Sequence, residues 1–125
     1  MLYSIFVISF GASAGAISRW LLGLAFNALF PPVPLGTLAA NLIGGYCIGL
    51  FMGVCAFLPS IAPKWRLLVV TGFLGALTTF SAFSAEAVML LQQGHFAVAA
   101  GAAALHIFGS LAMTFLGIAS FSLVR

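Results

Sequence analysis

The chain has 125 residues, of which 64% are hydrophobic and only 4% charged. No soluble domain could cover its surface with so few charges, so the composition describes an integral membrane protein. Four Lys/Arg against one acid give a formal net charge of +3, too sparse for a nucleic-acid footprint and better read as topology signals.

Four apolar segments follow, each long enough to cross a bilayer. The first runs from about Leu2 to Leu29. Its Ala12-Ser13-Ala14 imitates a signal-peptide cleavage site, but no positive stretch precedes it and the hydrophobicity continues beyond, so it reads as a membrane helix. Pro31, Pro32 and Pro34 then form a rigid turn. The second segment runs from about Leu35 to Leu58 and carries both cysteines. Cys47 and Cys55 would stand ~12 Å apart along one helix, beyond the reach of a disulfide, and read as small buried hydrophobes. Pro59 and Pro63 bracket a loop bearing Lys64 and Arg66, with Trp65 suited to the headgroup level. The third segment runs from near Trp65 to near Gln92, and Gln92-Gln93-Gly94-His95 makes the next loop. The fourth runs from about Phe96 to Val124. Short loops predict antiparallel neighbours, and residues 1–125 read as one all-α transmembrane domain. Gly11 and Gly15, and Gly45, Gly49 and Gly53, recur four apart, a spacing that lets helices pack closely in lipid. With both termini cytoplasmic, Lys64, Arg66 and Arg125 lie inside and Arg19 toward the outer end, a modest positive-inside tilt.

The third segment is unusual at its centre, Gly75–Ser84, which reads Gly-Ala-Leu-Thr-Thr-Phe-Ser-Ala-Phe-Ser. As one continuous helix the segment would span ~40 Å, so this centre lies deep in the bilayer. Polar side chains at that depth face protein or water rather than lipid. Gly75 and the β-branched pair Thr78–Thr79 predict a helix break, and a broken membrane helix exposes backbone groups that point to an ion site. Beyond it, Phe80 and Phe83 are three apart and should share a face, with Ser81 and Ser84 on the adjacent stripe.

Other polar residues bear on the same question. Asn41 in the second segment must find partners: a helix–helix hydrogen bond, an anion, or the broken backbone. His106, Ser110 and Thr114 recur every four residues and form one polar stripe on the fourth segment. A single hydroxyl there would simply bond its own backbone, whereas three in register favour a pore lining. His106 has no companions at metal-ligand spacing. Glu86, the only acid, is a functional candidate by its depth; pairing with Arg19 or reaching for the interface is the plainer alternative. Arg19 could gather anions at a vestibule or merely anchor its helix. No Ser/His/acid set, carboxylate pair or phosphate loop is present, so the chain does not read as an enzyme. Phenylalanine edges, an amide and hydroxyls suit an anion, and carbonyls at a helix break suit a cation. One four-helix protomer leaves little interior for a path, so a dimer is expected.

Gly11-x-x-x-Gly15-Ala16 ahead of Arg19, Gly36-Thr37-Leu38-x-x-Asn41, and Gly75-x-x-Thr78-Thr79-Phe80-Ser81 together resemble the Fluc-type (CrcB) fluoride channels, over essentially the whole chain. The resemblance implies a dual-topology homodimer of antiparallel four-helix protomers, each with a broken third helix. It implies passive, selective export of fluoride across the plasma (inner) membrane of microbial cells. Phe80 and Phe83 would offer ring edges to fluoride, with Asn41 supporting them. Thr79, Ser81, His106, Ser110 and Thr114 would complete the pore, although His106 stands where the family's track would begin with a hydroxyl. Backbone carbonyls of Gly75 and Thr78 would hold a central structural sodium ion shared by the protomers. Arg19 matches a vestibule arginine, and Glu86 the acid beyond the phenylalanines. Two other classes compete. A small multidrug-type proton-coupled cation exporter needs an acid, and only Glu86 could serve. A non-transporting assembly subunit would need neither stripe nor break.

Overall fold

The computed structural model describes all 125 residues, and every regular element is helical. Four stretches are long and apolar enough to cross a membrane: Leu2–Phe26, Leu35–Phe57, Pro63–Gln92 and Phe96–Val124. The first two are single helices, α1 (Leu2–Phe26) and α2 (Leu35–Phe57). The third is assembled from pieces. It begins as α3 (Pro63–Arg66), widens into π-helix over Leu67–Leu74, tightens again in the short α4 (Gly75–Leu77), and resumes as α5 (Phe80–Gln92). Between α4 and α5, Thr78 and Thr79 have extended dihedrals, with φ/ψ of −82°/154° and −153°/122°. The last span is one helix, α6 (Phe96–Val124).

The ends of these helices differ from the sequence expectations for local reasons. α1 stops at Phe26 rather than Leu29, and Asn27 Oδ1 accepts the Gly36 N–H at 2.8 Å, tying the proline turn back across the helix ends. α2 stops at Phe57 rather than Leu58, because the residue before a proline is pushed out of the helical region; Leu58 has φ −119°, ψ 78°. The third span starts two residues early, at Pro63, since proline suits the first turn of a helix. α5 closes in a Schellman turn: Gly94 takes φ +81°, its N–H bonds the Leu91 carbonyl, and the His95 N–H bonds the Leu90 carbonyl.

Glycine sets the helix contacts. A methyl group on Gly15 would run into the Phe73 carbonyl, and one on Gly11 into the Leu68 carbonyl, so α1 lies directly against the π-helical stretch. On the other side, Gly49 of α2 faces the Thr114 carbonyl and, at 3.0 Å from where its Cβ would be, Gly117 Cα of α6. Such contacts replace the hydrophobic drive that lipid cannot supply. The fully packed centre is small: Ala40, Leu74 and Leu77, immediately beside the extended residues. Only 20 of the 125 residues are buried. Phe6, Phe10, Trp20, Phe108 and Phe115 all face outward, an apolar surface far too large for water and suited to lipid and other membrane helices.

Candidate functional site

Extended residues inside an apolar span leave backbone groups that lipid cannot satisfy, and side chains around Thr78–Thr79 take them up. In a continuous helix the Thr79 N–H would bond the Gly75 carbonyl. It instead donates to Asn41 Oδ1 at 2.7 Å. The Thr79 carbonyl accepts from Asn41 Nδ2 at 3.0 Å. One side-chain amide therefore meets both polar groups of a single residue. Thr79 Oγ1 accepts the Ala82 N–H at 3.1 Å, the N-cap bond that starts α5, and lies 3.3 Å from Ser81 Oγ. Thr78 Oγ1 donates to the Leu74 carbonyl at 2.8 Å. The Ala76 carbonyl, in the last turn before the extended pair, accepts from Arg19 Nε at 3.0 Å. A cation at that point also faces the negative end of the helix dipole.

Of the alternatives open for Asn41, the structure directs it at the backbone and at another helix together. Its Nδ2 also lies 2.9 Å from His106 Nδ1. The His106 ring stacks on Phe83, with centroids 4.5 Å apart and planes at 28°. Phe83 in turn meets Phe80 edge to face, at 5.5 Å and 74°. The two phenylalanines are neighbours, but they do not share one environment as their spacing suggested. Phe83 is 8% exposed and Phe80 74% exposed, because Phe80 opens α5 and projects where the preceding chain is not helical.

These residues border one groove of about 400 Å³, between Asn41, Phe80, Phe83, His106, Ser110 and Thr114. The polar stripe of α6 thus meets the phenylalanines and the extended pair. Its hydroxyls are not equivalent: Thr114 Oγ1 donates to the Ser110 carbonyl at 3.0 Å, so its proton belongs to its own helix. A second cavity, of about 350 Å³, is bordered by Gly44, Gly45, Gly75, Thr78 and Ser110. Asn41, Thr78 and Ser110 line both. Ser81 is exposed beside Thr79, and Gly75 is exposed on the protomer surface.

Arg19 and Glu86 lie away from this groove and have separate partners. Glu86 Oε1 accepts the Thr37 hydroxyl at 2.6 Å, while Arg19 is engaged by Ala76. Thr37 also borders a cavity of about 390 Å³ that Arg19, Trp20 and Asn27 line. Thr37 and Asn27 were not singled out from sequence. Thr37 precedes Asn41 by one helical turn on the same face of α2, which was the available signal.

Residues 6–118 match the family described as CrcB-like protein, Camphor Resistance (CrcB). A protein of Tolumonas auensis named fluoride-specific ion channel FluC is 62% identical over 125 residues, covering 100% of this chain and 98% of its own length. A Chromobacterium violaceum protein of the same name is 57% identical over 122 residues, 98% of this chain and 97% of its own. One from Desulfovibrio desulfuricans is 54% identical over 125 residues, with coverage of 100% and 97%.

Proposed function

Given that this chain belongs to the CrcB-like family, we propose that it is a fluoride-selective channel, a multi-pass protein of the bacterial plasma membrane that lets fluoride leave passively. It is not an enzyme. The reading is carried by one observation. A single groove joins the Phe80–Phe83 pair to Asn41, His106 and Ser110. Fluoride is small and strongly hydrated, so its path must offer many weak donors in place of water. Phe83 has one face against the His106 ring, which leaves its electropositive rim for an anion. Thr79, Ser81 and Thr114 complete the polar wall, with Arg19 and Glu86 toward the mouth.

The finer parts of the reading concern the partner and the cation. Two antiparallel protomers would cover the outward Phe80 of each and bring both Gly75 faces together. The backbone carbonyls of Gly75 and Thr78 would hold one structural sodium ion between the protomers. The residues fit that group. Oxygen donors at an interrupted helix end suit sodium, and the Gly75 carbonyl has lost its helical donor to Asn41. Sodium there would supply fixed positive charge and a tie between the subunits.

Purified protein in liposomes, monitored with a fluoride electrode, tests the reading. Fluoride should escape rapidly while chloride stays. Phe80→Ile and Phe83→Ile should each slow fluoride by about tenfold or more with the dimer intact. Full flux in both variants would remove the ring-edge role. Proton-coupled export of an organic cation would favour a multidrug exporter, and silence a non-transporting subunit.

A further inference from the structure

The hydrogen bonds around Asn41 have a fixed polarity that reaches across to α6. A backbone N–H can only donate and a carbonyl can only accept. The Thr79 N–H therefore places Oδ1 of Asn41, and the Thr79 carbonyl places Nδ2. The side chain has no freedom to flip. What Asn41 then turns toward His106, at 2.9 Å, is Nδ2, a donor. His106 Nδ1 must accept, so in the neutral ring the proton sits on Nε2.

The other side of the imidazole faces a different setting. His106 is only 5% exposed, and its ring face is covered by Phe83. Nε2 has no protein partner, yet it is not among buried polar atoms cut off from all contact. It therefore retains an opening, and the space that His106 borders is the groove. Ser110 lies one turn further along α6 and lines the same groove.

We propose that His106 is a specificity-determining donor of the fluoride path, held as the Nε2–H tautomer by a relay that runs from the Thr79 backbone through the Asn41 amide to Nδ1. The extended pair in the third span thus decides that α6 presents an N–H, not a lone pair, to the passing ion. A lone pair there would repel an anion. A hydroxyl could swivel between donating and accepting, whereas the clamped, stacked imidazole cannot. The selectivity role rests on the fluoride-channel reading; the tautomer does not.

Two measurements keep these apart. Long-range ¹H–¹⁵N spectra of the full-length protein in lipid nanodiscs near neutral pH report the tautomer of each histidine. The chain has two histidines, and a His95→Gln background leaves His106 alone. The expected pattern is a protonated Nε2 and a bare Nδ1, with added sodium fluoride moving the Nε2 signal more than Nδ1. Fluoride efflux from liposomes gives the second readout. His106→Phe keeps a ring against Phe83 but has no donor, and should slow fluoride by about tenfold or more. His106→Gln can accept from Asn41 and donate to the groove, and should stay within about threefold of the wild type. A protonated Nδ1 would overturn the relay whatever the flux. Undiminished flux in His106→Phe would overturn the donor role. A wild type that passes no fluoride would remove the channel reading and the donor role with it, while the spectra still decide the tautomer.

Discussion

Asn41 is the residue on which most of the site's geometry converges, because it holds Thr79 by both its N–H and its carbonyl. Removing it leaves two backbone groups without partners in an apolar span. Asn41→Ala should cost about 2–5 kcal/mol, read as a lower melting temperature in detergent. Thr79→Ala removes only the N-cap bond to Ala82 and should cost about 1 kcal/mol. Thr79→Ser keeps the oxygen and should melt close to the wild type. Equal losses in Asn41→Ala and Thr79→Ala would mean that the amide does not hold the backbone. The amide's importance was partly legible in the sequence: an asparagine deep in a membrane span must find partners. Its partners were not legible. Nothing in the chain order relates position 41 to positions 79 and 106, which meet only once three spans have packed.

At the level of elements, the four spans and their loops were readable because lipid makes apolar length the dominant signal. Helix ends were misjudged by one to three residues wherever proline or a side-chain cap decided the matter, as at Asn27, Leu58 and Pro63. The π-helical stretch Leu67–Leu74 had no sequence signal at all. Leu, Val, Thr, Gly and Phe in that order are compatible with an ordinary α-helix, and the wider winding shows only against α1. The glycine spacing was readable as close packing, though not which helix each glycine meets. The contact of Gly49 with Thr114 and Gly117 is backbone against backbone, so nothing flexible can yield. Gly49→Ala should force α2 from α6 and cost about 1–3 kcal/mol. Gly101, which has open space around it, is the control: Gly101→Ala should be neutral or slightly stabilising, since alanine is the better helix former. A melting temperature lowered as much by Gly101→Ala as by Gly49→Ala would contradict this division.

For the whole molecule, the small number of buried residues matters most. A protomer that leaves Phe80 and Gly75 outward is incomplete by itself, which is the physical reason to expect a partner at that face. If sodium ties two such faces, exchange into sodium-free buffer should lower the dimer's melting temperature and promote dissociation on dilution, measured by crosslinking. Unchanged assembly without sodium would count against the shared cation. Charge adds a second asymmetry. Lys64 lies over the Trp65 ring and Arg125 over the Phe57 ring, so these basic groups are anchored on aromatic residues near helix ends.

The wide winding of Leu67–Leu74 bears on how this gene can change. A loop such as Pro59–Ala62 can lose a codon and leave the helices on either side in register. The π-helical stretch cannot, because it stores surplus chain length. Deleting one residue there would let it rewind as α-helix and swing everything downstream, from Phe80 to Gln92, by about 100° about the axis. Small deletions should therefore be purged from this stretch and survive in the loop that precedes it.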